Sequence, residues 1–273
     1  MILERDGVAL HVVVEGEGDP VVLLHGHAMD LRVWDEVVPP LVRAGLRVVR
    51  YDQRGHGRSG SPASGYRWGD HAADLAEVIV RSAGPAAHVV GLSKGAGIAL
   101  ECALRRPELV RSLGLVGPLV PDRSLSEAMR ASFREVAHAI RTRGVQPAMR
   151  EVWLRHQLIE RATARPGARE RLEAMVLAFP AGEYLAATRD VPDREWKVVD
   201  RLAEIAVPAL VVRGDGEVTE FAAMAEELAG SVRRADSAVV RDSGHLVPLE
   251  QPAALAAVVV EFLGRVQRAD GRA

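Results

Sequence analysis

Short apolar segments alternate with amphipathic segments over the first 117 residues of the chain and again after residue 208. Uninterrupted apolar runs, such as VVLLH at residues 21–25, predict strands that are buried on both faces. Between such runs, apolar residues recur at helical spacing, as they do from residue 31 to residue 41. Strands that alternate with helices predict a mostly parallel central sheet with helices on both faces, which is an α/β fold.

The same patterns predict the individual elements and their order. Asp6-Gly7 is a short turn signal between two strand-like segments and predicts a hairpin. The predicted strands cover residues 1–5, 8–15, 21–25, 47–52, 88–92, 112–117, 208–214 and 237–242. The predicted helices of the α/β part, besides the segment 31–41, cover residues 69–81, 94–105, 220–230 and 251–266.

The alternation stops after residue 118, where a long helical pattern begins and continues to about residue 199. It opens with Ser124-Leu125-Ser126-Glu127, which has the spacing of a capping box. Met129, Phe133, Val136 and Ile140 then fall on one helical face, and a further helix is expected from Trp153. We expect an α/β core formed by residues 1–118 and 201–273, with a helical cap inserted at 119–200.

Composition narrows the classes of function. The net charge is −2 over 273 residues and the basic residues are scattered, so nucleic acid is not an expected partner. The single cysteine, Cys102, excludes an internal disulfide and fits a reducing compartment. The start of the chain is charged and no apolar stretch reaches 18 residues, so we expect no secretory signal, no membrane partner and a cytoplasmic location. Oligomeric state is not predicted.

Ser93 lies in the segment Gly91-Leu92-Ser93-Lys94-Gly95, between a predicted strand and a predicted helix. This G-x-S-x-G pattern is typical of a sharp turn that presents a nucleophilic serine, because side chains at the two glycines would collide with neighbouring backbone. The alternative is a serine that caps a helix in a glycine-rich loop. A nucleophile also needs a base and an acid that orients the base.

Candidates for both partners follow strands near the end of the chain. His245 lies on a loop after the strand at 237–242, and Asp215 and Glu217 follow the strand at 208–214. Either acid is placed to reach His245, because the carboxyl ends of parallel strands meet at one edge of the sheet. The residues alone leave this choice open.

The chain resembles the α/β-hydrolase fold family over almost its whole length. Besides Gly91 to Gly95, the resemblance rests on His25-Gly26 after the third strand and on Gly244-His245. The segment from Tyr51 to Ser59, YDQRGHGRS, is similar to the DxRGxGxS loop of the esterase, lactonase and haloperoxidase branches.

The resemblance implies Ser93 as nucleophile and His245 as general base. The acid of that family usually stands three residues past the glycine that ends its strand, which indicates Glu217, with Asp215 as a rival. Asp122 is a third candidate, since some relatives carry the acid after the preceding strand. The oxyanion hole would use the backbone N–H groups of His27 and Lys94.

Several side chains near these motifs have an expected role or surroundings. The Lys94 side chain is expected to point toward solvent; alternatively, Lys94 or His27 favours an anionic substrate. Arg54 and His56 are expected to brace loops, and Cys102 to lie in the core. The nine histidines show no H-x-x-x-H pair, so neither a metal nor a cofactor is expected.

The resemblance implies a serine hydrolase that cleaves an ester or lactone of a small to medium acyl compound through an acyl-enzyme. Carbon–carbon bond hydrolysis and cofactor-free perhydrolysis on the same triad are alternatives, as is a ligand-binding receptor without turnover. Apolar residues of the cap are candidates for substrate binding: Met129, Phe133, Trp153, Phe179 and Tyr184.

Overall fold

A computed structural model describes residues 1–187, 196–269 and 271 and contains one eight-stranded sheet. The strands are β1 (Ile2–Arg5), β2 (Val8–Glu15), β3 (Asp19–Leu24), β4 (Leu46–Tyr51), β5 (Ala87–Leu92), β6 (Val110–Val116), β7 (Ala209–Gly214) and β8 (Ala235–Val240). Their spatial order is β1-β2-β4-β3-β5-β6-β7-β8. All eight predicted strands are confirmed, with boundaries shifted by up to two residues.

The sheet is mostly parallel, as the alternating pattern predicts. Strands β3 to β8 pair in parallel, whereas β2 runs antiparallel to both β1 and β4. The turn between β1 and β2 has positive φ at Asp6 (47°) and at Gly7 (75°), which agrees with the predicted hairpin. The loops that follow β3, β5, β7 and β8 therefore emerge at one edge of the sheet, and these loops carry the candidate residues.

Helices cover both faces of the sheet. They are α1 (Val38–Arg43), α2 (Trp68–Val78), α3 (Lys94–Arg105), α4 (Glu127–Arg143), α5 (Val145–Glu151), α6 (Glu160–Thr163), α7 (Pro166–Val176), α8 (Gly182–Leu185), α9 (Thr219–Ser231), α10 (Val247–Glu250) and α11 (Pro252–Ala269). One apolar cluster joins the sheet to α2, α3 and α9, and a second joins it to α1 and α11. The second cluster continues into the inserted helices α4 to α8, which lie between β6 and β7.

Three helical predictions differ from the structure. The segment 31–41 is broken into a 3-10 turn at Leu31–Trp34 and helix α1. Pro39 and Pro40 lie in the first turn of α1, and neither has the N–H group that a continuous helix would need to bond to the carbonyl four residues earlier. Helix α4 begins after Ser126 instead of Ser124: the Ser126 hydroxyl accepts a hydrogen bond from the Met129 N–H (3.2 Å).

The helix expected from Trp153 is a 3-10 turn at Trp153–Arg155, followed by the short α6. Part of the predicted helical stretch, residues 188–195, lies outside the described residues. Among the helices that are described, none has the length and apolar character needed to cross a membrane.

Candidate active site

Ser93 occupies the sharp turn between β5 and α3. Its backbone angles are φ 52° and ψ −113°, a conformation that residues other than glycine rarely adopt. A Cβ atom at Gly91 would lie 2.3 Å from the carbonyl group of Gly95, and one at Gly95 would lie 2.6 Å from the carbonyl oxygen of Leu24. Close backbone packing therefore requires glycine at both positions. This is the steric conflict that the G-x-S-x-G pattern predicts.

His245 and Glu217 form a buried pair next to this turn. The Nδ1 atom of His245 lies 3.1 Å from Oε1 and 3.0 Å from Oε2 of Glu217, whose side chain is 0% exposed. The Oε1 atom of Glu217 also accepts a hydrogen bond from the N–H of Val218 at 2.9 Å. Because the carboxylate occupies Nδ1, Nε2 is the ring nitrogen of His245 that is available to the cavity lined by His245 and Ser93.

Gly117, at the end of β6, makes room for the pair. Its φ is +47°, and a Cβ atom there would lie 3.0 Å from Nδ1 of His245 and 3.1 Å from Oε2 of Glu217. A side chain at this position would displace one of the two groups. The residues that follow β6, β7 and β8 therefore meet at this pair.

The other two candidate acids lie elsewhere. Asp215 Oδ1 accepts a hydrogen bond from the N–H of Ser243 (3.2 Å) and lies 3.8 Å from a guanidinium nitrogen of Arg161, with 45% of its side chain exposed. Asp122 accepts a hydrogen bond from the N–H of Val198 at 3.2 Å. Of the three acids, only Glu217 has a described contact with His245.

The YDQRGHGRS segment is organised around the carboxylate of Asp52. Its Oδ1 accepts a hydrogen bond from the N–H of Leu31 (2.8 Å), and its Oδ2 accepts one from the N–H of Arg58 (2.9 Å). Gly57 has φ +50°, and a Cβ atom there would lie 2.4 Å from Cγ of Asp52. The aspartate and the glycine of the motif are therefore needed for the turn itself.

Arg54 and His56 brace this region, as expected. Arg54 forms a paired contact with Asp74, with two nitrogen–oxygen distances of 2.6 Å. His56 is fully buried, and its Nδ1 lies 3.0 Å from the carbonyl oxygen of Arg54. The N–H of Gln53 donates to Nε2 of His25 at 2.9 Å, which ties the segment to the loop after β3.

Lys94 does not point toward solvent, so that expectation is wrong. The residue is 7% exposed, and its Nζ donates to Oε2 of Glu183 in helix α8. The Oε1 atom of Glu183 lies 3.2 Å from Nδ1 of His27, and the hydroxyl of Tyr184 lies 2.9 Å from Nε2 of His27. The inserted helices therefore contact both residues that were expected to form the oxyanion hole.

The charge state of this cluster follows from its contacts. Burial disfavours the charged form of Glu183, but the ammonium of Lys94 and the imidazole of His27 outweigh it, so the pKa of Glu183 lies well below its usual value. Burial, with a smaller contribution from Glu183, raises the pKa of Tyr184. Glu183 is thus a carboxylate that compensates the charge of Lys94, and Tyr184 keeps its hydroxyl proton.

We expect Lys94→Met to lower the free energy of unfolding by about 2 kcal/mol at pH 7, because it removes the cation that faces a partly buried carboxylate. In the wild type, the pKa of Glu183 lies well below 4.5, its value in the unfolded chain. The contribution of this carboxylate to the free energy of unfolding is therefore complete above pH 4.5 and is lost as the pH falls below that value. The deficit of the variant should therefore shrink on acidification. Urea unfolding at pH 7 and at pH 4 measures it, and an equal deficit at both pH values would contradict the assignment.

A cavity of about 330 Å³ lies between the sheet edge and the inserted helices. Ser93, Lys94, His27 and His245 line it together with mostly apolar side chains. Of the cap residues expected to bind substrate, three line this cavity and two do not. The three are Phe133, Trp153 and Tyr184, whereas Met129 and Phe179 are buried in the apolar cluster around α4 to α8.

The sequence analysis missed a glutamate and a histidine of the cavity wall. Glu183 gives no sequence signal, since its partner Lys94 is 89 residues away. His71 is 1% exposed, and neither of its ring nitrogens has a hydrogen-bond partner among the described residues. Burial lowers the pKa of His71 well below its usual value. The signal that could have identified His71 is its position four residues before the apolar Leu75, which places both residues on the same face of α2.

The remaining candidates for chemistry are structural. Cys102 is fully buried and unpaired in α3, as expected, and burial raises the pKa of its thiol to about 12. Within the described ranges, no group of three or more His, Cys, Asp or Glu side chains is arranged to hold a metal ion.

Comparison with known proteins identifies the family of the chain. The sequence model of the alpha/beta hydrolase fold matches residues 19–252. The chain is 30% identical to 2-hydroxymuconate semialdehyde hydrolase from Pseudomonas sp. (strain CF600), over 96% of this chain and 93% of that protein. A thermophilic esterase from Thermogutta terrifontis superposes with a TM-score of 0.80 at 27% identity, covering 97% of each chain.

The enol-lactonase from Burkholderia xenovorans LB400 superposes with a TM-score of 0.79 over 97% of this chain and 100% of the lactonase. At 24% identity, this likeness concerns the fold. The family model covers most of the chain, and the first relative is matched over almost its full length. The chain therefore belongs to the α/β-hydrolase fold family, and its homologues support an enzyme that acts on ester bonds.

Proposed function

We propose that the protein is a serine hydrolase that cleaves a carboxylic ester or lactone of a small to medium acyl compound. The observation that carries the proposal is the buried Glu217–His245 pair, in which His245 lines the same cavity as the strained Ser93. A nucleophile, a base and an acid that orients the base are the components that acyl transfer requires.

In the proposed acylation step, the Ser93 hydroxyl oxygen attacks the acyl carbon and Nε2 of His245 takes its proton. Glu217 holds the imidazole by Nδ1 and stabilises the imidazolium that forms. The same proton then passes to the leaving alcohol as the tetrahedral intermediate collapses. The product of this step is an acyl-enzyme on Ser93.

The backbone N–H groups of His27 and Lys94 are the proposed donors to the oxyanion. Lys94 is the first residue of α3, where N–H groups have no partner within the helix. A preorganised donor of this kind contributes about 3 kcal/mol to transition-state stabilisation. A water molecule, deprotonated by His245, then hydrolyses the acyl-enzyme and restores Ser93.

We further propose that residues 119–200 act as a cap that selects the substrate. Phe133 and Trp153 supply aromatic surface to the cavity wall, and Leu158 and Ile159 extend it. A cavity of about 330 Å³ fits a small or medium ligand. The wall therefore favours a partly apolar acyl or alcohol group.

Hydrolysis of p-nitrophenyl esters from acetate to octanoate tests this proposal. We expect kcat/KM to rise by about fourfold for each added methylene until the cavity is filled, because burying one methylene contributes about 0.8 kcal/mol. A lactone series measured with a pH indicator covers substrates that the ester series misses. Absence of turnover with every ester and lactone would contradict the proposal.

Carbon–carbon bond hydrolysis is the second candidate, and the match to 2-hydroxymuconate semialdehyde hydrolase favours it. A muconate carries carboxylate, and Lys94 is the single Lys or Arg among the described residues that line the cavity. Because Glu183 compensates that charge, the described wall offers no surplus cation for an anionic substrate. Assay of a muconate semialdehyde beside the esters decides between the two reactions.

The proposed partner is a small molecule, and a cytoplasmic location stays a prediction from the sequence. Fractionation of cells that express a tagged chain would test it directly.

A further inference from the structure

Two consecutive residues of α8 contact both ring nitrogens of His27. Glu183 Oε1 lies 3.2 Å from Nδ1, and the Tyr184 hydroxyl lies 2.9 Å from Nε2. A neutral imidazole has one donor and one acceptor nitrogen. A single tautomer satisfies both contacts, in which Nδ1–H donates to Glu183 and the Tyr184 hydroxyl donates to Nε2. The His27 side chain is therefore held from the cap in one orientation.

The second oxygen of the same carboxylate accepts from Nζ of Lys94. His27 and Lys94 follow different strands, β3 and β5, and their backbone N–H groups are the proposed oxyanion donors. One carboxylate thus holds the side chains of both donor residues. The side chain of Glu183 is 23% exposed, so these contacts are partly shielded from water.

The position of α8 is itself tightly determined. Ala181, just before the helix, is fully buried and has the left-handed angles φ 57° and ψ 33°. A Cβ atom at Gly182 would lie 2.8 Å from Cα of Gly55 in the YDQRGHGRS segment. Strained backbone persists only where the surroundings hold it, and it concentrates at functional sites. The next residue in the chain is Glu183.

We infer that Glu183 is a positioning residue that couples the seating of the cap to the geometry of the oxyanion hole. This inference rests on the proposed function, because it assigns a role in the same reaction. A misplacement of about 1 Å near the reacting atoms costs about 100-fold in rate. The interaction acts on the transition state, where the oxyanion forms, so its loss should lower kcat more than it raises KM.

The test compares Glu183→Ala and Glu183→Gln with a matched control, Glu36→Ala. The control removes another ion pair between an inserted helix and the core, Arg171 with Glu36 (2.8 Å), and neither residue lines the cavity. We expect kcat to fall about 100-fold in Glu183→Ala and about 10-fold in Glu183→Gln, which still accepts from His27. KM should stay within about threefold, and Glu36→Ala should change either constant by less than about twofold.

The affinity for a trifluoromethyl ketone distinguishes a specific change in the oxyanion hole from a general loosening of the cavity. Ser93 Oγ adds to its carbonyl carbon, the proton passes to His245, and the resulting oxyanion occupies the proposed hole. Its affinity should fall in parallel with kcat across the Glu183 variants, while the affinity of a phenyl ester for the same variants in a Ser93→Ala background stays unchanged. Equal losses for the ketone and the ester would overturn the inference.

Hydrogen exchange gives a readout that does not depend on activity. Peptides that cover residues 25–30 and 93–97 should exchange faster in Glu183→Gln and Glu183→Ala than in the wild type or in Glu36→Ala. Unchanged exchange, or a kcat loss in Glu36→Ala equal to that in Glu183→Ala, overturns the inference. If the wild type turns over no ester and no lactone, the proposed function fails, and the exchange of these peptides still decides whether Glu183 holds the two loops.

Discussion

Ser93→Ala is expected to lower kcat/KM for the best p-nitrophenyl ester by at least about 10⁴-fold. The variant removes the oxygen that would form the acyl-enzyme, whereas the strained turn, the His245–Glu217 pair and the cavity stay in place. Any residual hydrolysis should come from direct attack of water on the bound ester, accelerated only by substrate binding and by the oxyanion hole. Steady-state rates together with mass spectrometry of a fluorophosphonate adduct on the wild type measure both parts of the claim.

Ser82→Ala is the matched control for this variant. Ser82 is also buried, at 4% exposure, but it lies in the last turn after α2 and does not line the cavity. Its rate constants should stay within about twofold of the wild type. Turnover that survives in Ser93→Ala, or an adduct on another residue, would show that the nucleophile is assigned wrongly.

The local geometry of the turn at Ser93 could be predicted from sequence because its causes are local. Gly91 and Gly95 are required by backbone atoms that approach within 2.3 to 2.6 Å of the missing Cβ atoms, and a short pattern encodes that requirement. The same holds for Gly57 against Asp52 in the segment YDQRGHGRS. When the atoms that would collide belong to neighbouring residues or to one strand–turn–helix unit, glycines at fixed positions in the sequence indicate the turn.

The surroundings of Lys94 could not be predicted, because its partner comes from a distant part of the chain. A lysine at the start of a helix is solvated unless another element covers it, and only the tertiary structure places Glu183 over it. The start of α4 shows the same limitation, since Glu220 accepts hydrogen bonds from both the N–H (2.6 Å) and the hydroxyl (2.7 Å) of Ser126. At both sites, contacts between distant parts of the chain override what the local sequence indicates.

The choice between Asp215 and Glu217 lies between these two cases. Both acids follow β7, and sequence alone offers no physical reason to prefer one. In the structure, the end of β7 packs so closely on the His245 loop that a Cβ atom at Gly214 would lie 2.2 Å from the carbonyl oxygen of Ser243. Asp215 then faces Ser243 at the surface, and Glu217, two residues on, reaches the buried side of the imidazole.

This separation leads to the second large expected effect. Glu217→Gln should lower kcat by about 10³- to 10⁴-fold with little change in KM, because an amide cannot stabilise the imidazolium and can donate to Nδ1, which favours the wrong tautomer of His245. The isosteric change leaves the packing around Gly117 intact. The measurement is kcat and KM for the best ester at pH 8, together with urea unfolding to confirm that stability is retained.

Asp215→Asn provides the comparison within the same loop. Its carboxylate is 45% exposed and contacts the N–H of Ser243 and Arg161, so the variant should keep kcat within about threefold of the wild type. A larger loss in Asp215→Asn than in Glu217→Gln would assign the acid to Asp215 and would require the loop to rearrange in the working enzyme. Comparable losses in both would mean that the two carboxylates act as one unit, which a double variant resolves, since residues that act together show losses that do not add.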